Sequence, residues 1–211
     1  MKFLKSFILG GLLVSVMTQL WASQTLKIDQ TDPVKLVDTV SRVVITELDR
    51  QREVLKQDPK KVQAFAEQYV LPYVDTQKMA RYVMGRYWRQ ASSSQQQAFI
   101  QAFTQTLLRS YANSMLNLKI TSFEVTGSQS EGKRGNRMLV SAMVKQADGN
   151  ETKVQYRVYQ DKTTKLWRLY DVIIENISML LNYRKTYASA FQQKGIDGVI
   201  AEMQAKNKSF N

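Results

Sequence analysis

The sequence predicts an α+β fold: a largely helical N-terminal half, an antiparallel four-stranded twisted sheet packed against it, and C-terminal helices. Three observations predict it. Apolar residues recur at helical spacing from Leu36 to Met115, the period drops to two between Lys119 and Ile174, and helical spacing returns after Asn176. Helices, then a meander of strands, then helices is the α+β pattern. No internal repeat, low-complexity segment or linker interrupts it, so the mature chain is expected to be one domain.

The first residues stand apart from that domain. Met1 to Lys5 carry two lysines, Phe7 to Met17 is apolar, and Leu20, Trp21, Ala22 and Ser23 follow, in the charged, apolar, small-residue order of a secretory signal. The apolar stretch is well short of the roughly 20 residues that span a bilayer. Residues 1–22 are therefore read as a cleaved signal peptide and 23–211 as the exported domain.

Asp32 and Pro33 make a cap followed by proline in the first helical turn, and Leu36, Val37, Val40, Val43, Val44, Leu48 and Leu55 then recur on one face. Asp58 and Pro59 repeat the signal before Val62, Phe65, Ala66, Tyr69 and Val70, and Pro72 ends the run. Asp75 can cap a short third helix carrying Met79, Ala80, Val83 and Met84, with Gly85 as its stop. Ser92 to Ser94 open a fourth, on which Phe99, Phe103, Leu107, Tyr111 and Met115 align.

Four strands are expected at Ile120 to Val125, Met138 to Val144, Val154 to Tyr159 and Leu166 to Ile174. The Gly127 to Gly132 run between the first two reads as a surface loop. With Asp148, Gly149 and Asn150 as a three-residue hairpin loop, Val144 faces Val154, Ala142 faces Tyr156 and Val140 faces Val158, all on one apolar face. The hairpin around Asp161 to Lys165 leaves two registers open. Either Trp167, Leu169 and Ile173 or Tyr170, Val172 and Ile174 join that face. Ile177, Leu180, Leu181, Tyr187 and Phe191 then begin a helix that stops near Gly195, before a last helix with Val199, Ile200 and Met203.

Composition excludes most chemistry. The chain has no histidine and no cysteine, which removes the commonest general base, both soft metal ligands, every Ser-His or Cys-His nucleophile and any disulfide. Asp171 and Glu175 are the remaining candidate carboxylate pair. On an extended strand they would stand about 13 Å apart, beyond the spacing used in glycoside hydrolysis, so both are read as hydrogen-bond acceptors near a strand end. The formal charge of +12 falls to +10 without Lys2 and Lys5, and outside the cytoplasm it points to anionic membrane surfaces or acidic partners rather than nucleic acid, with an ordinary solvated surface as the alternative. Lys133, Arg134 and Arg137, close together before the second strand, are the expected docking residues. What stands out is the apolar content: eight Phe, ten Tyr and nine Met, many on helix faces expected to meet the sheet.

Several stretches resemble one family. Leu71, Pro72, Tyr73, Val74 and Asp75, then Met84, Gly85, Arg86, Tyr87 and Trp88, then Trp167 to Val172 with Glu175 to Ser178, are similar in order and spacing to the MlaC, or toluene-tolerance, family. Asn182 to Arg184, Phe191 and Lys194 to Gly198 continue the likeness, which runs from about Asp32 to Met203. Where that family commonly has glycine after the glutamate of the strand-to-helix junction, this chain has Asn176, which also tolerates a left-handed backbone.

The resemblance implies a monomeric periplasmic shuttle of Gram-negative bacteria. It would carry phospholipid between an MlaA-type outer-membrane lipoprotein with its porin and the MlaD-type MCE protein of an inner-membrane ABC transporter, with no cofactor and no catalytic residue. It also implies an apolar pocket between sheet and helices, with the head group at its mouth. The expected lining is Phe99, Phe103, Leu107 and Tyr111 on the fourth helix and Val140, Ala142, Val144, Val154, Tyr156 and Val158 on the sheet. Leu71, Tyr73, Val83, Leu169, Ile177 and Leu180 complete the set. The competing reading is an extracytoplasmic adaptor with a filled core, docking acidic partners through its basic surface.

Overall fold

Each helix begins where a side chain meets its first free N–H groups. In a computed structural model that describes residues 28–133 and 135–208, α1 (Pro33–Gln57) opens under Asp32, whose carboxylate accepts from the Val34 and Lys35 amides. The expected signal peptide and Arg134 lie outside the described residues. α2 (Pro59–Tyr69) repeats the device with Asp58, and α3 (Thr76–Met84) with Asp75. α4 (Ser93–Asn117) has a full capping box between Ser92 and Gln95. Such caps contribute about 1 kcal/mol each. α5 (Met179–Asn207) starts at Ser178 and kinks at Gly195 (φ 67°, ψ −176°). Lys194 and Lys206 both grip Glu202, and their hydrogen bonds hold its carboxyl down to about 2. That support is present above the ordinary glutamate range and is lost as pH falls toward 2.

α3 stops at Gly85, whose φ of 55° and ψ of −120° suit glycine alone, and Arg184 lies 3.3 Å from where a Cβ would stand. Gly85 and Arg184 are thus one contact, made by two of the stretches that carried the family resemblance. Gly85→Ala is expected to cost about 2 kcal/mol, within the range for a strained backbone position. An unshifted urea midpoint would show that neither the conformation nor the contact matters.

The sheet has five strands, not four: β1 (Ile120–Ser130), β2 (Arg137–Gln146), β3 (Glu151–Gln160), β4 (Trp167–Ile174) and β5 (Ile177–Ser178), antiparallel and in sequence order. The extra strand takes Ile177 out of the helix expected from its spacing. Glu175 and Asn176 both have positive φ, 46° and 65°, the two-residue turn that folds a strand straight back. Asn176 supplies that turn as expected, while the Glu175 carboxylate, accepting from the Lys153 amide at 2.8 Å, holds the other half.

β1 also runs further than its apolar residues. Gly127 to Ser130, expected in a loop, continue the ladder to Ser141 and Met138 after an irregularity at Thr126, because ladder bonds come from the backbone and an exposed edge strand needs no apolar side chain. The β2–β3 register is two residues from the expected one: Val144 pairs with Thr152, Ala142 with Val154, and Val140 with Tyr156. The loop is Ala147 to Gly149, with Gly149 (φ 86°) in the last position, where a three-residue hairpin requires a left-handed residue, and not in the middle. A slip of two preserves the face, so the apolar set stays together.

Both registers left open for β4 are used. Leu169 pairs with Val158 before a bulge at Tyr170, and Val172 pairs with Tyr156 after it. Leu169 and Val172 therefore share the face of Val158 and Tyr156, while Tyr170 turns to the other side, against the helices.

The apolar residues gather in separate clusters. The first joins Leu36, Val37 and Val40 of α1 to Phe123, Val140, Ala142, Val144, Val154, Val158 and Leu169 of the sheet. The second joins Ala80, Val83 and Met84 of α3, Phe99 and Phe103 of α4, and Leu180, Phe191 and Val199 of α5. A smaller third holds Leu48, Leu55, Phe65 and Leu116, beside which Arg52 donates to the Leu116 carbonyl. The expectation that α4 faces the sheet is thereby corrected. α1, rich in valine, covers the apolar face with the branched side chains that fit a pleated surface, whereas the α4 rings find rings on α5: Phe99 to Phe191 at 5.6 Å and Phe103 to Tyr183 at 5.3 Å.

Candidate functional site

The residues expected to line a pocket divide between the two main clusters. Val140, Ala142, Val144, Val154, Val158, Leu169 and Tyr73 are buried together in the first. Tyr156 packs against them, its hydroxyl 3.5 Å from Ser41, and burial raises the phenol's pKa. Val83, Phe99, Phe103 and Leu180 are buried in the second, with Leu107 against it. Tyr111 is half-buried and edge-on to Tyr183 at 6.4 Å, and burial raises its pKa too. Leu71 belongs to neither cluster and lies half-buried in the 3-10 turn Leu71–Tyr73. Ile177, 65% exposed, stands at the tip of the last hairpin beside exposed Ile174, too far out to belong to either core.

A seam joins the clusters where the Leu71–Tyr73 turn meets β4. Val74 bridges to Leu169, and the Asp75 amide donates to the Leu169 carbonyl at 2.8 Å. Immediately beyond, Asp75 accepts from the Tyr159 hydroxyl and caps α3 through the Lys78 amide. The Lys78 ammonium sits 3.7 Å from the Tyr159 ring centre and 5.4 Å from that of Tyr170, and the two rings meet edge-on at 5.9 Å. Burial lowers the Lys78 pKa and raises those of both phenols. Sequence reasoning did not single out Lys78 or Tyr159. Asp75 and Tyr170 lie in the family-like stretches, but nothing local marks the four as neighbours.

Asp171 forms the second polar feature the sequence understated. Its carboxylate is buried and accepts from Arg157 at 3.0 Å, from the Ser178 hydroxyl at 2.7 Å and from the Leu180 amide at 3.0 Å. Arg157 also reaches Glu131 at 3.0 Å. Asp171 and Glu175 are thus both hydrogen-bond acceptors at a strand end and turn, as their spacing suggested. Among the described residues no group of acidic side chains is placed to hold a metal ion.

The outer face of β1–β3 carries a separate concavity of about 410 Å³ lined by Thr126, Gly127, Ser128, Gln129, Ser141, Lys153 and Gln155. Its lining is polar and shares no residue with the apolar clusters, so its chemistry does not suit an apolar ligand. Among the described residues no helix is long and apolar enough to cross a membrane.

Comparison with known proteins gives this arrangement a context. The intermembrane phospholipid transport system binding protein MlaC of Haemophilus influenzae is 24% identical over 196 residues, covering 92% of this chain and 90% of that protein. The toluene tolerance protein ttg2D of Pseudomonas putida is 25% identical over 166 residues, 78% of this chain and 75% of its own. The fold matches that of a phospholipid-binding protein from Ralstonia solanacearum, solved in complex with a phospholipid. The TM-score is 0.76 at 22% identity, over 85% of this chain and 98% of that one. The sequence profile of the MlaC protein family matches residues 38–205, from within α1 to near the end of α5 and so through every element of both main clusters, and the chain accordingly belongs to the MlaC family.

Proposed function

We propose that this chain is a periplasmic phospholipid-binding carrier that moves lipid between outer-membrane and inner-membrane transport complexes and so maintains outer-membrane lipid asymmetry. The observation that carries the reading is membership of the MlaC family across residues 38–205. The acyl chains are held by apolar residues of the two clusters, Val140 to Val158 beneath α1 in the first and Val83, Phe99, Phe103, Leu107 and Leu180 in the second.

Two acyl tails of roughly 30 methylenes cost on the order of 24 kcal/mol to expose to water, so free release is negligible. Lipid must pass while the carrier is docked, to an MlaA-type lipoprotein with its porin on one side and an MlaD-type MCE protein of an ABC transporter on the other. Exposed Lys133, in the 131–136 loop, is a docking residue in this reading, since exposed charge acts mainly on the rate of encounter. A protein that binds and releases without bond chemistry has no energy source, so direction comes from the partners.

Native mass spectrometry of mature protein purified from bacteria should find a bound mass of phospholipid size, identified by extraction. A bare protein mass would favour the ligand-free adaptor instead. Competition between ethanolamine and glycerol phospholipids should show less than about a hundredfold preference, because the tails supply most of the affinity and exposed head-group contacts discriminate by only ~1 to 3 kcal/mol. A thousandfold preference would refute that.

A further inference from the structure

We propose that Lys78, Arg137 and Arg168, gathered around the Tyr159–Tyr170 ring pair, form a binding site for the phosphate group of a phospholipid at the seam between the two apolar clusters. The proposal rests on the carrier reading and deepens it. Lys78 is held on the two rings, where burial opposes its charge, Arg137 and Arg81 repel it, and Asp75 and Asp161 attract it. Those acids are already engaged. Asp75 caps α3 and takes the Tyr159 hydroxyl, and Asp161 accepts from the Thr163 and Thr164 amides of its own turn. Glu131 beside Tyr170 is taken by Arg157.

Among the described residues no ion pair includes Lys78, Arg81, Arg137 or Arg168. Arg168 donates one guanidinium nitrogen to the Val74 carbonyl at 2.9 Å, while its buried Nε–H has no acceptor. Cations gathered without an ion-pair partner, beside a buried donor without an acceptor, fit an anion with several acceptor oxygens, and phosphate meets that requirement.

Position decides which phosphate. Tyr73 and Leu169 belong to the first cluster, and Tyr170 packs on the second. A phosphate placed here would leave its tails on the apolar surface beside Tyr170. Arg137, assigned to docking by its sequence neighbours, is the ladder partner of Tyr159 on one side as Arg168 is on the other, and so joins the lipid side. Because phosphate is common to all phospholipids, such a site adds affinity without selecting among head groups.

The test compares fluorescent-chain phosphatidylglycerol with diacylglycerol of the same chains, each delivered from cyclodextrin. Wild-type protein should prefer the phospholipid by about tenfold, the scale of one charge-assisted contact. Lys78→Met with Arg137→Gln, which leaves Arg168 in place, should lower the ratio by about fivefold, with diacylglycerol affinity retained. If the pair does not fold, Arg137→Gln alone, at an exposed position, should still lower the ratio by about threefold. An unchanged ratio, or equal losses for both lipids, would overturn the proposal. Inorganic phosphate, titrated by amide NMR, should bind only in the millimolar range at Lys78 and Arg137; binding as tight as the phospholipid's would assign the site to free phosphate and overturn the lipid source. Wild-type protein that binds neither lipid would instead overturn the carrier reading, and the same phosphate titration would then show whether these cations hold an anion at all.

Discussion

Asp171→Ala is expected to destabilise the protein by about 3 kcal/mol, near the lower end of what removing one partner of a buried ion pair costs, because Arg157 is a third exposed and keeps Glu131. The loss is more than a salt bridge. The same carboxylate holds the Ser178 hydroxyl and the Leu180 amide, and the Leu180 N–H is buried, so the variant leaves a donor without an acceptor in the first turn of α5. Asp171→Asn keeps one carbonyl acceptor and should lose about half as much. Urea denaturation at neutral pH reads both. A loss below about 1 kcal/mol for Asp171→Ala would mean that α5 is held by its apolar face alone.

Ala142→Trp should empty the carrier of most of its lipid. Ala142 is fully buried on the sheet face beneath α1, opposite Val154, so an indole must push into the space between the sheet and α1. Overpacking of this kind costs about 1 to 3 kcal/mol, which a domain of this size tolerates, so the variant is expected to fold and to show its defect in bound lipid per protein. A folded variant with a full complement would remove the first cluster from the pocket and leave the tails to α3, α4 and α5.

The caps were readable from sequence because they are local: Asp32, Asp58, Asp75 and Ser92 each act within three residues. The apolar sheet face survived a wrong register, since a two-residue slip returns every side chain to its own side. The partner of that face was not readable. α1 and α4 both carry an apolar stripe, and the choice between them is made by fit against surfaces a hundred residues away. The bulge at Tyr170 was hidden for a related reason. Trp167 to Ile174 is apolar enough on both parities for either register, and only packing on both sides selects a strand that uses each in turn. The polar seam was the least legible part. Lys78, Tyr159 and Tyr170 are ordinary residues in ordinary elements, and their meeting depends on where α3 lands on the β3–β4 hairpin.

That bulge makes β4 an axle. One strand carries Leu169 and Val172 on the side of α1 and Tyr170 on the side of α3, α4 and α5, while its ladder to β3 continues past the irregularity. The two apolar bodies thus share one strand as their common support, and the main-chain bonds of the sheet hold both. A change in one body is therefore felt by the other through a single strand, without any break in the ladder between them.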